Sequence, residues 1–408
     1  MTTLDLDFVR AQFPAFSEPS LEGQAFFENA GGSYACGPVI DRLTRFYRAR
    51  KVQPYGAFAA SREAGAEMDE ARARLAGLLG VAPEEVSFGP STTQNTYVLA
   101  RAFAQWMQPG EAIVVTDQDH EANSGPWRRL AEEGFEIRVW TIEPESGRLD
   151  PDRLADLLDD RVRLVCFPHC SNVVGEINPV VEISAIAHAA GAFVCVDGVS
   201  YAPHGLPDVG ALGPDIYLFS AYKTYGPHQG IMVIRRELAE MLPNQGHHFN
   251  GGVPYKRFTP AGPDHAQVAA CAGLADYLDA LHAHHFPGVA AAPAERAAAL
   301  HDLFRAHETA LLQPLLDRVS GRKGVRLLGP GRAEGRAPTV ALAVEKPGEM
   351  AQALAARGLM AGASDFYAHR PLSAMGIDPA RGVLRLSFVH YTSPEEMDRL
   401  LEALDDLL

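Results

Sequence analysis

The sequence lacks any uncharged apolar run long enough to cross a membrane. Stretches such as Ile183 to Val196 are too short, and that one contains His188. Residues 1–7 are acidic where a secretory signal would need a basic segment. The five cysteines are an odd number and show no disulfide spacing. These absences exclude a membrane-spanning protein and a disulfide scaffold, and they predict a protein of the reducing cytoplasm.

Basic patches are also scarce. The formal net charge is −15 at pH 7, and lysine and arginine cluster only in short pieces such as residues 45–51. Binding to a phosphate backbone needs a basic surface, so we expect no nucleic-acid partner. The chain has no internal repeat and no low-complexity tail. Its 408 residues, 47% of them hydrophobic, are enough for two or three folding units.

The order of the predicted elements indicates an α/β protein. Six or seven strands alternate with helices over residues 85–235, a pattern that predicts a doubly wound, mostly parallel sheet. Residues 246–264 are irregular, and Pro287-Gly288 marks a boundary. We expect an N-terminal arm over residues 1–20 that packs with the small domain, a large domain over 21–286, and a small α+β domain over 287–408. Residues 358–375 are predicted to form a loop.

One lysine lies between two apolar runs. Lys223 follows the predicted strand 215–219 and precedes the apolar run 230–234, although lysine is among the residues least often buried. As an isolated feature, a surface lysine that extends its head to water is the commoner explanation. Another predicted strand, 192–196, ends in Asp197. Polar groups at the carboxyl ends of parallel strands lie where open α/β folds bind ligands, so this pair indicates a ligand site.

Further polar segments follow other predicted strands. Thr92 and Thr93 open a helix, whose unpaired N–H donors favour a phosphate, although such residues also cap helices without a ligand. His120 and Asn172 each follow a strand. Arg385 lies within an apolar strand and therefore needs a buried anion. His282, His284 and His285 are spread around a helix end, and we expect no metal site there.

Together these segments resemble the pyridoxal phosphate (PLP) site of the class V aminotransferase family, whose best-known members are the cysteine desulfurases. The most specific motif is Ser-Asn, two apolar residues, Gly, any residue and Ile-Asn-Pro, which stands here at residues 171–179. The likeness covers nearly the whole chain. It implies fold type I with a seven-stranded sheet, PLP as cofactor, an amino acid as the small-molecule substrate, and a homodimer with the active site near the subunit interface.

The resemblance also implies roles for individual residues. Lys223 forms the Schiff base with PLP, and Asp197 pairs with the pyridine nitrogen. His120, the third catalytic residue, covers one face of the ring. The implied cofactor-binding residues are Thr92, Thr93, His120, Asn172, Asp197, Ser200, Ser220, Tyr222 and Lys223. The implied substrate-binding residues are Ala30, Gly31, Asn172 and Arg385.

The chain departs from the desulfurase pattern. Desulfurases carry a nucleophilic cysteine on the loop before the carboxylate-binding arginine, and the matching stretch 365–371 has Ala368 and no cysteine. Gly262 stands where the family has a threonine that touches the phosphate of the partner subunit. Three functions stay open: an aminotransferase or β-eliminating lyase that acts through an external aldimine and a quinonoid carbanion, a desulfurase that uses Cys170 or Cys36, and a non-catalytic PLP-binding regulator.

Overall fold

The computed structural model of the protein describes residues 2–408. The strands are β1 Ala25–Phe26, β2 Val86–Gly89, β3 Ala112–Thr116, β4 Glu136–Trp140, β5 Val162–Pro168, β6 Phe193–Asp197, β7 Ile216–Ser220, β8 Gly230–Ile234, β9 Arg326–Leu327, β10 Thr339–Ala343, β11 Leu359–Met360, β12 Gly362–Ser364 and β13 Val383–Ser387. The helices are α1 Leu6–Ala11, α2 Gly37–Ala49, α3 Ala59–Leu78, α4 Thr92–Trp106, α5 Glu121–Arg128, α6 Pro151–Ala155, α7 Val180–Ala189, α8 Val209–Leu212, α9 Arg236–Met241, α10 His265–Ala270, α11 Ala272–His285, α12 Pro293–Val319, α13 Pro347–Ala355, α14 His369–Ala374 and α15 Pro394–Leu407.

Seven strands form the large sheet, in the order β2-β8-β7-β6-β5-β3-β4. β8 is antiparallel to both of its neighbours, and the other neighbouring strands are parallel. β3, β5, β6 and β7 therefore end at one edge of the sheet. The predicted α/β fold class, a mostly parallel doubly wound sheet, is confirmed.

Alternate residues of these strands enter two separate cores. In β6, Val194 and Val196 belong to a core with α2, α3, α7 and α11, whereas Cys195 belongs to a core with α4, α5 and α9. Successive side chains of a strand point to opposite faces, so helices cover both sides of the sheet. This double burial explains why the strands read as continuous apolar runs in the sequence.

A smaller antiparallel sheet, in the order β12-β13-β10-β9, has a third core with α13, α15 and the end of α12. β1 pairs in parallel with β11 in a separate two-stranded sheet, and Phe27 enters this third core, so the start of the predicted large domain packs with the core of the small sheet. α12 spans two cores, because Leu300 packs in the first and Leu315 in the third. The domain boundaries at 20/21 and 286/287 stay predictions.

The N-terminal arm contacts both α15 and α11. Arg10 forms an ion pair with Glu396 at 2.9 Å, while the Asp5 main-chain N–H donates to His285 and its carboxylate meets His284 at 2.8 Å. Within residues 2–408 no cluster of histidine, cysteine and acidic side chains is arranged to hold a metal. No helix of the described chain is both long and apolar enough to cross a bilayer.

The prediction of a loop over residues 358–375 is wrong. That segment contains β11, β12 and α14. β12 consists of Gly362-Ala363-Ser364, residues with little strand propensity, so no sequence pattern reveals it. Its pairing places Gly362 directly opposite Arg385 of β13.

Candidate active site

A cavity of about 500 Å³ opens at the carboxyl edge of the large sheet. Its walls include every residue that the sequence predicts for the site: Ala30, Gly31, Thr92, Thr93, His120, Asn172, Asp197, Ser200, Ser220, Tyr222, Lys223 and Arg385. Most of these residues follow parallel strands, and Arg385 comes from the small sheet. The cavity therefore lies between the large and the small sheet.

Lys223 ends a short 3₁₀ turn that directly follows β7. The side chain is buried, and its ammonium forms no hydrogen bond or ion pair with any residue of the described chain. Burial and, to a smaller extent, the positive charge of Arg385 lower the pKa of Lys223 to about 8, against the opposing effect of Asp197. A substantial fraction of the amine is therefore neutral near physiological pH.

Asp197 ends β6, the parallel neighbour of β7. One carboxylate oxygen accepts a hydrogen bond of 2.9 Å from the Val199 main-chain N–H. Burial raises the pKa of Asp197 and outweighs the opposing effects of the Val199 N–H and the charge of Lys223, so that the net pKa is about 6. At pH 7 the group is thus mostly a buried carboxylate, which stabilises a positive charge placed beside it.

His120 caps the start of α5. Its Nδ1 accepts a hydrogen bond of 3.0 Å from the Ala122 main-chain N–H, which assigns the ring proton to Nε2. Burial lowers the pKa of His120 to about 3, and the positive charges of Lys223 and Arg385 contribute to the decrease. The imidazole is therefore neutral and offers the cavity an aromatic face and one N–H donor.

Two hydroxyls meet at the start of α4. Thr92 Oγ1 lies 2.8 Å from Ser220 Oγ, and Ser91 caps the helix by accepting from the Gln94 main-chain N–H. Gly230 of β8 permits this close packing, because a Cβ atom there would lie 2.4 Å from the Ser91 carbonyl carbon and 2.7 Å from the Thr92 nitrogen. Hydroxyls beside a helix N-terminus suit a phosphate.

Asn172 and Arg385 are in contact with each other in the cavity wall. The Asn172 amide donates to the Phe366 carbonyl oxygen at 2.9 Å, and its own Oδ1 is buried without a partner. Arg385 donates to Glu28 at 2.6 Å and to the Asn172 carbonyl oxygen at 3.3 Å. The Phe366 ring stacks 3.7 Å from the guanidinium carbon. The buried anion that Arg385 requires is thus a carboxylate of the chain itself.

Ala30 and Gly31 contribute cavity surface and no free N–H donors. The Ala30 N–H donates to the Ser387 hydroxyl at 2.9 Å, and the Gly31 N–H donates to the Glu28 carbonyl oxygen at 2.9 Å. Tyr222 stacks on His228 with ring centroids 4.8 Å apart. Gly262 lies elsewhere, in the wall of a second cavity of about 350 Å³.

Sequence reasoning missed several residues of the cavity wall, among them Glu28, Glu121, Phe366 and Tyr367. Glu28 had a signal, because it is a carboxylate at the end of the apolar run 25–27. No sequence signal marks Phe366 or Tyr367. Both residues adopt the left-handed backbone region, with φ of 52° and 55°, which aromatic residues rarely enter and which the sequence therefore does not predict. Glu121 forms an ion pair with Arg370 at the rim.

All five cysteines are buried and reduced. Cys170 lines the cavity, and burial raises the pKa of its thiol to about 12. Burial also raises the pKa of Cys36 to about 12, and within residues 2–408 that side chain is not part of the cavity wall. Ala368 is buried on the loop that carries the nucleophile in desulfurases. Neither candidate thiol is exposed or ionised at neutral pH.

A seven-stranded, mostly parallel sheet with a lysine and an aspartate at its carboxyl edge defines the class of fold type I PLP-dependent enzymes. The chain belongs to the class V aminotransferase family, because the family model described as Aminotransferase class-V matches residues 25–400. The family predicted from the sequence is confirmed. Its members depend on PLP.

Individual relatives agree with this assignment. The chain is 32% identical to the aminotransferase-like protein FGM3 of Gibberella zeae, over 100% of this chain and 99% of that protein. It is 34% identical to a cysteine desulfurase of Serratia proteamaculans over 68% of this chain and 72% of that one. The crystal structure of the cysteine desulfurase CsdA from Escherichia coli superposes with a TM-score of 0.82 at 25% identity, over 99% and 98% of the two chains.

Proposed function

We propose that this chain is a PLP-dependent enzyme that acts on an amino acid, either as an aminotransferase or as a lyase that eliminates a β-substituent of the C–S type. The observation that carries the proposal is the buried, unpaired Lys223 with its lowered pKa beside the buried Asp197. A strongly perturbed lysine and carboxylate in one cavity favour a catalytic role over a structural one.

The residues of the cavity fit PLP. Thr92, Thr93 and Ser220 would hold the phosphate at the start of α4, and Asp197 would face the ring nitrogen. The unpartnered Asn172 Oδ1 and the Ser200 hydroxyl, both in the cavity wall, would be available to polar groups of the rest of the ring. When bound, PLP supplies an electron sink for the bonding electrons of the substrate α-carbon.

The other roles in the proposed reaction belong to side chains of the protein. Asp197, ionised at pH 7, would keep a proton on the ring nitrogen. Lys223 Nζ in its neutral form would accept the proton of the substrate α-carbon, a task that its pKa near 8 suits. His120 would cover one ring face and offer its Nε2–H. Arg385 and Asn172 would orient the carboxylate, and Phe366 would shield it from water.

A desulfurase is the second candidate, because Cys170 lines the cavity and relatives bear that name. Desulfuration needs a mobile thiolate at the substrate sulfur. Cys170 is 2% exposed, and its pKa is raised to about 12. These properties favour the aminotransferase or lyase. The complete set of acid–base groups also favours an enzyme over a non-catalytic regulator.

We further propose a homodimer. Three aromatic side chains lie on the surface near the second cavity or in its wall: Tyr55, Phe58 and Phe249, which are 50%, 57% and 77% exposed. Several large aromatic side chains exposed on one part of a surface are typical of a protein–protein interface. Light scattering should therefore give twice the chain mass of 44.0 kDa. A mass of one chain at micromolar concentration would contradict the dimer.

The reaction is tested by supplying the PLP-loaded protein with single amino acids, with and without a 2-oxo acid. Formation of a new amino acid identifies an aminotransferase, and release of pyruvate with ammonia or sulfide identifies a lyase. The Lys223→Ala variant is the control, and it should form none of these products. No product from any amino acid would contradict the proposed function.

A further inference from the structure

Glu28 forms an ion pair with Arg385, the residue to which a substrate carboxylate would bind. Its Oε1 lies 2.6 Å from Arg385 Nη2, and the guanidinium is almost completely buried. Glu28 itself belongs to a different part of the chain, two residues after the end of β1. The Glu28 side chain is 27% exposed, so part of it is already in contact with solvent.

The ion pair between Glu28 and Arg385 is incomplete. Glu28 Oε2 and Arg385 Nε are both buried, and neither has a hydrogen-bond partner among the described residues. A guanidinium and a carboxylate can form two parallel hydrogen bonds, and this pair forms only one. A buried donor and a buried acceptor are thus left unpaired within the same contact. A carboxylate with freer geometry would satisfy the Nε donor as well as Nη2.

Two glycines provide the space for the Glu28 carboxylate. A Cβ atom on Gly31 would lie 2.9 Å from Oε1, and a Cβ atom on Gly362 would lie 2.9 Å from Oε2. Gly362 is also the cross-strand neighbour of Arg385, so its missing side chain opens the space beside the guanidinium. The backbone thus leaves room for an anion at this position.

We propose that Glu28 is an internal counter-ion that holds Arg385 in the substrate-free protein and is displaced by the carboxylate of the substrate. This inference rests on the proposed function, in which Arg385 binds that carboxylate. It makes Glu28 a specificity-determining residue. A substrate must compete with Glu28 for Arg385, so a simple monocarboxylate binds weakly, and an amine without a carboxylate leaves the internal pair intact.

Propionate is a suitable probe, because it has a carboxylate and no amine that can react with the cofactor. Its dissociation constant is measured by calorimetry on the PLP-loaded wild type and on Glu28→Gln and Glu28→Asp. The Asp variant keeps the charge but withdraws the carboxylate by about 1.5 Å, one carbon–carbon bond. Glu121→Gln is the matched control, because it removes one negative charge from the same cavity wall, where Glu121 pairs with Arg370.

We expect propionate to bind at least tenfold more tightly to Glu28→Gln, with a smaller gain in Glu28→Asp and less than a threefold change in Glu121→Gln. Unchanged or weaker binding in both Glu28 variants would overturn the inference. An equal gain in Glu121→Gln would also overturn it, because the effect would then be one of total charge. If Glu28→Gln does not fold, the propionate affinity of Glu28→Asp tests the inference by itself, and an affinity no higher than that of the wild type overturns it.

The proposed function is tested separately in the same samples. The visible absorbance of lysine-bound PLP does not depend on Glu28 being displaced. If this absorbance is present and the Glu28 variants bind propionate with unchanged affinity, only the inference about Glu28 is overturned. If the absorbance is absent in the wild type, the proposed function is overturned.

Discussion

The side-chain amide of Asn172 donates a hydrogen bond of 2.9 Å to the main-chain oxygen of Phe366. This contact joins the segment after β5 of the large sheet to the loop between β12 and α14 of the small sheet. The Phe366 ring covers Arg385 at 3.7 Å from the guanidinium carbon. The loop that bears the nucleophilic cysteine in desulfurases therefore bears an aromatic cover over the arginine in this chain.

Replacing Phe366 with alanine should weaken substrate binding. The ring stabilises the buried guanidinium by a cation–π contact of about 1 kcal/mol, so its loss should raise KM for the amino-acid substrate roughly fivefold, with a smaller change in kcat. Tyr47→Ala is the control, because that side chain is 49% exposed and, within residues 2–408, is not part of this cavity wall. An unchanged KM for Phe366→Ala would show that the ring does not support Arg385.

The rate of PLP incorporation into the cofactor-free protein should depend on pH with an apparent pKa near 8. Only the neutral amine of Lys223 attacks an aldehyde, and burial lowers its pKa from 10.5 to about 8. Stopped-flow absorbance between pH 6 and pH 11 measures this rate. Arg385→Gln removes a positive charge and should raise the apparent pKa, whereas Asp197→Asn should lower it. A wild-type midpoint above pH 10 would contradict a buried Lys223.

Asp197→Asn should stabilise the cofactor-free protein at pH 8. The folded-state pKa of Asp197 is about 6, above its usual 3.8, so stability falls as pH rises between these values and the full penalty remains above pH 6. The gain in unfolding free energy is on the order of 3 kcal/mol at most. Denaturant unfolding at pH 5 and pH 8 measures this gain in unfolding free energy. Asp160→Asn is the control, because Asp160 is exposed.

In the PLP-loaded enzyme the same replacement should have the opposite effect. In the role proposed for Asp197 its carboxylate would hold the proton of the ring nitrogen, so kcat should fall by several factors of ten, each about 1.4 kcal/mol. Near-normal turnover of Asp197→Asn would contradict the assigned role.

The protein should not accumulate a persulfide when it is incubated with L-cysteine. Ala368 has no thiol, and Cys170 is buried with its pKa raised to about 12. If cysteine is a substrate, we expect free sulfide and pyruvate. Intact-mass measurement before any reductant checks this prediction. A stable gain of one sulfur atom that disappears in Cys170→Ser or Cys36→Ser would instead support the desulfurase.

The sequence predicts the large sheet and its ligand edge well, because β3, β6 and β7 are apolar along their length and end in the polar residues Thr116, Asp197 and Ser220. It does not predict the pair between Glu28 and Arg385. That contact depends on the pairing of β1 with β11 and of β12 with β13, and β1, β11 and β12 are strands of two or three residues with no local pattern. The left-handed backbone at Phe366 and Tyr367 is likewise set by tertiary contacts.

The central claim is that Lys223 carries PLP. The chain has five lysines, and the other four, Lys51, Lys256, Lys323 and Lys346, are exposed or half-buried. Borohydride reduction of the PLP-loaded protein followed by peptide mapping locates the pyridoxyl group directly. We expect one group per chain on Lys223 and none in Lys223→Ala. A pyridoxyl group on any of the other four lysines, with Lys223 unmodified, would contradict the account.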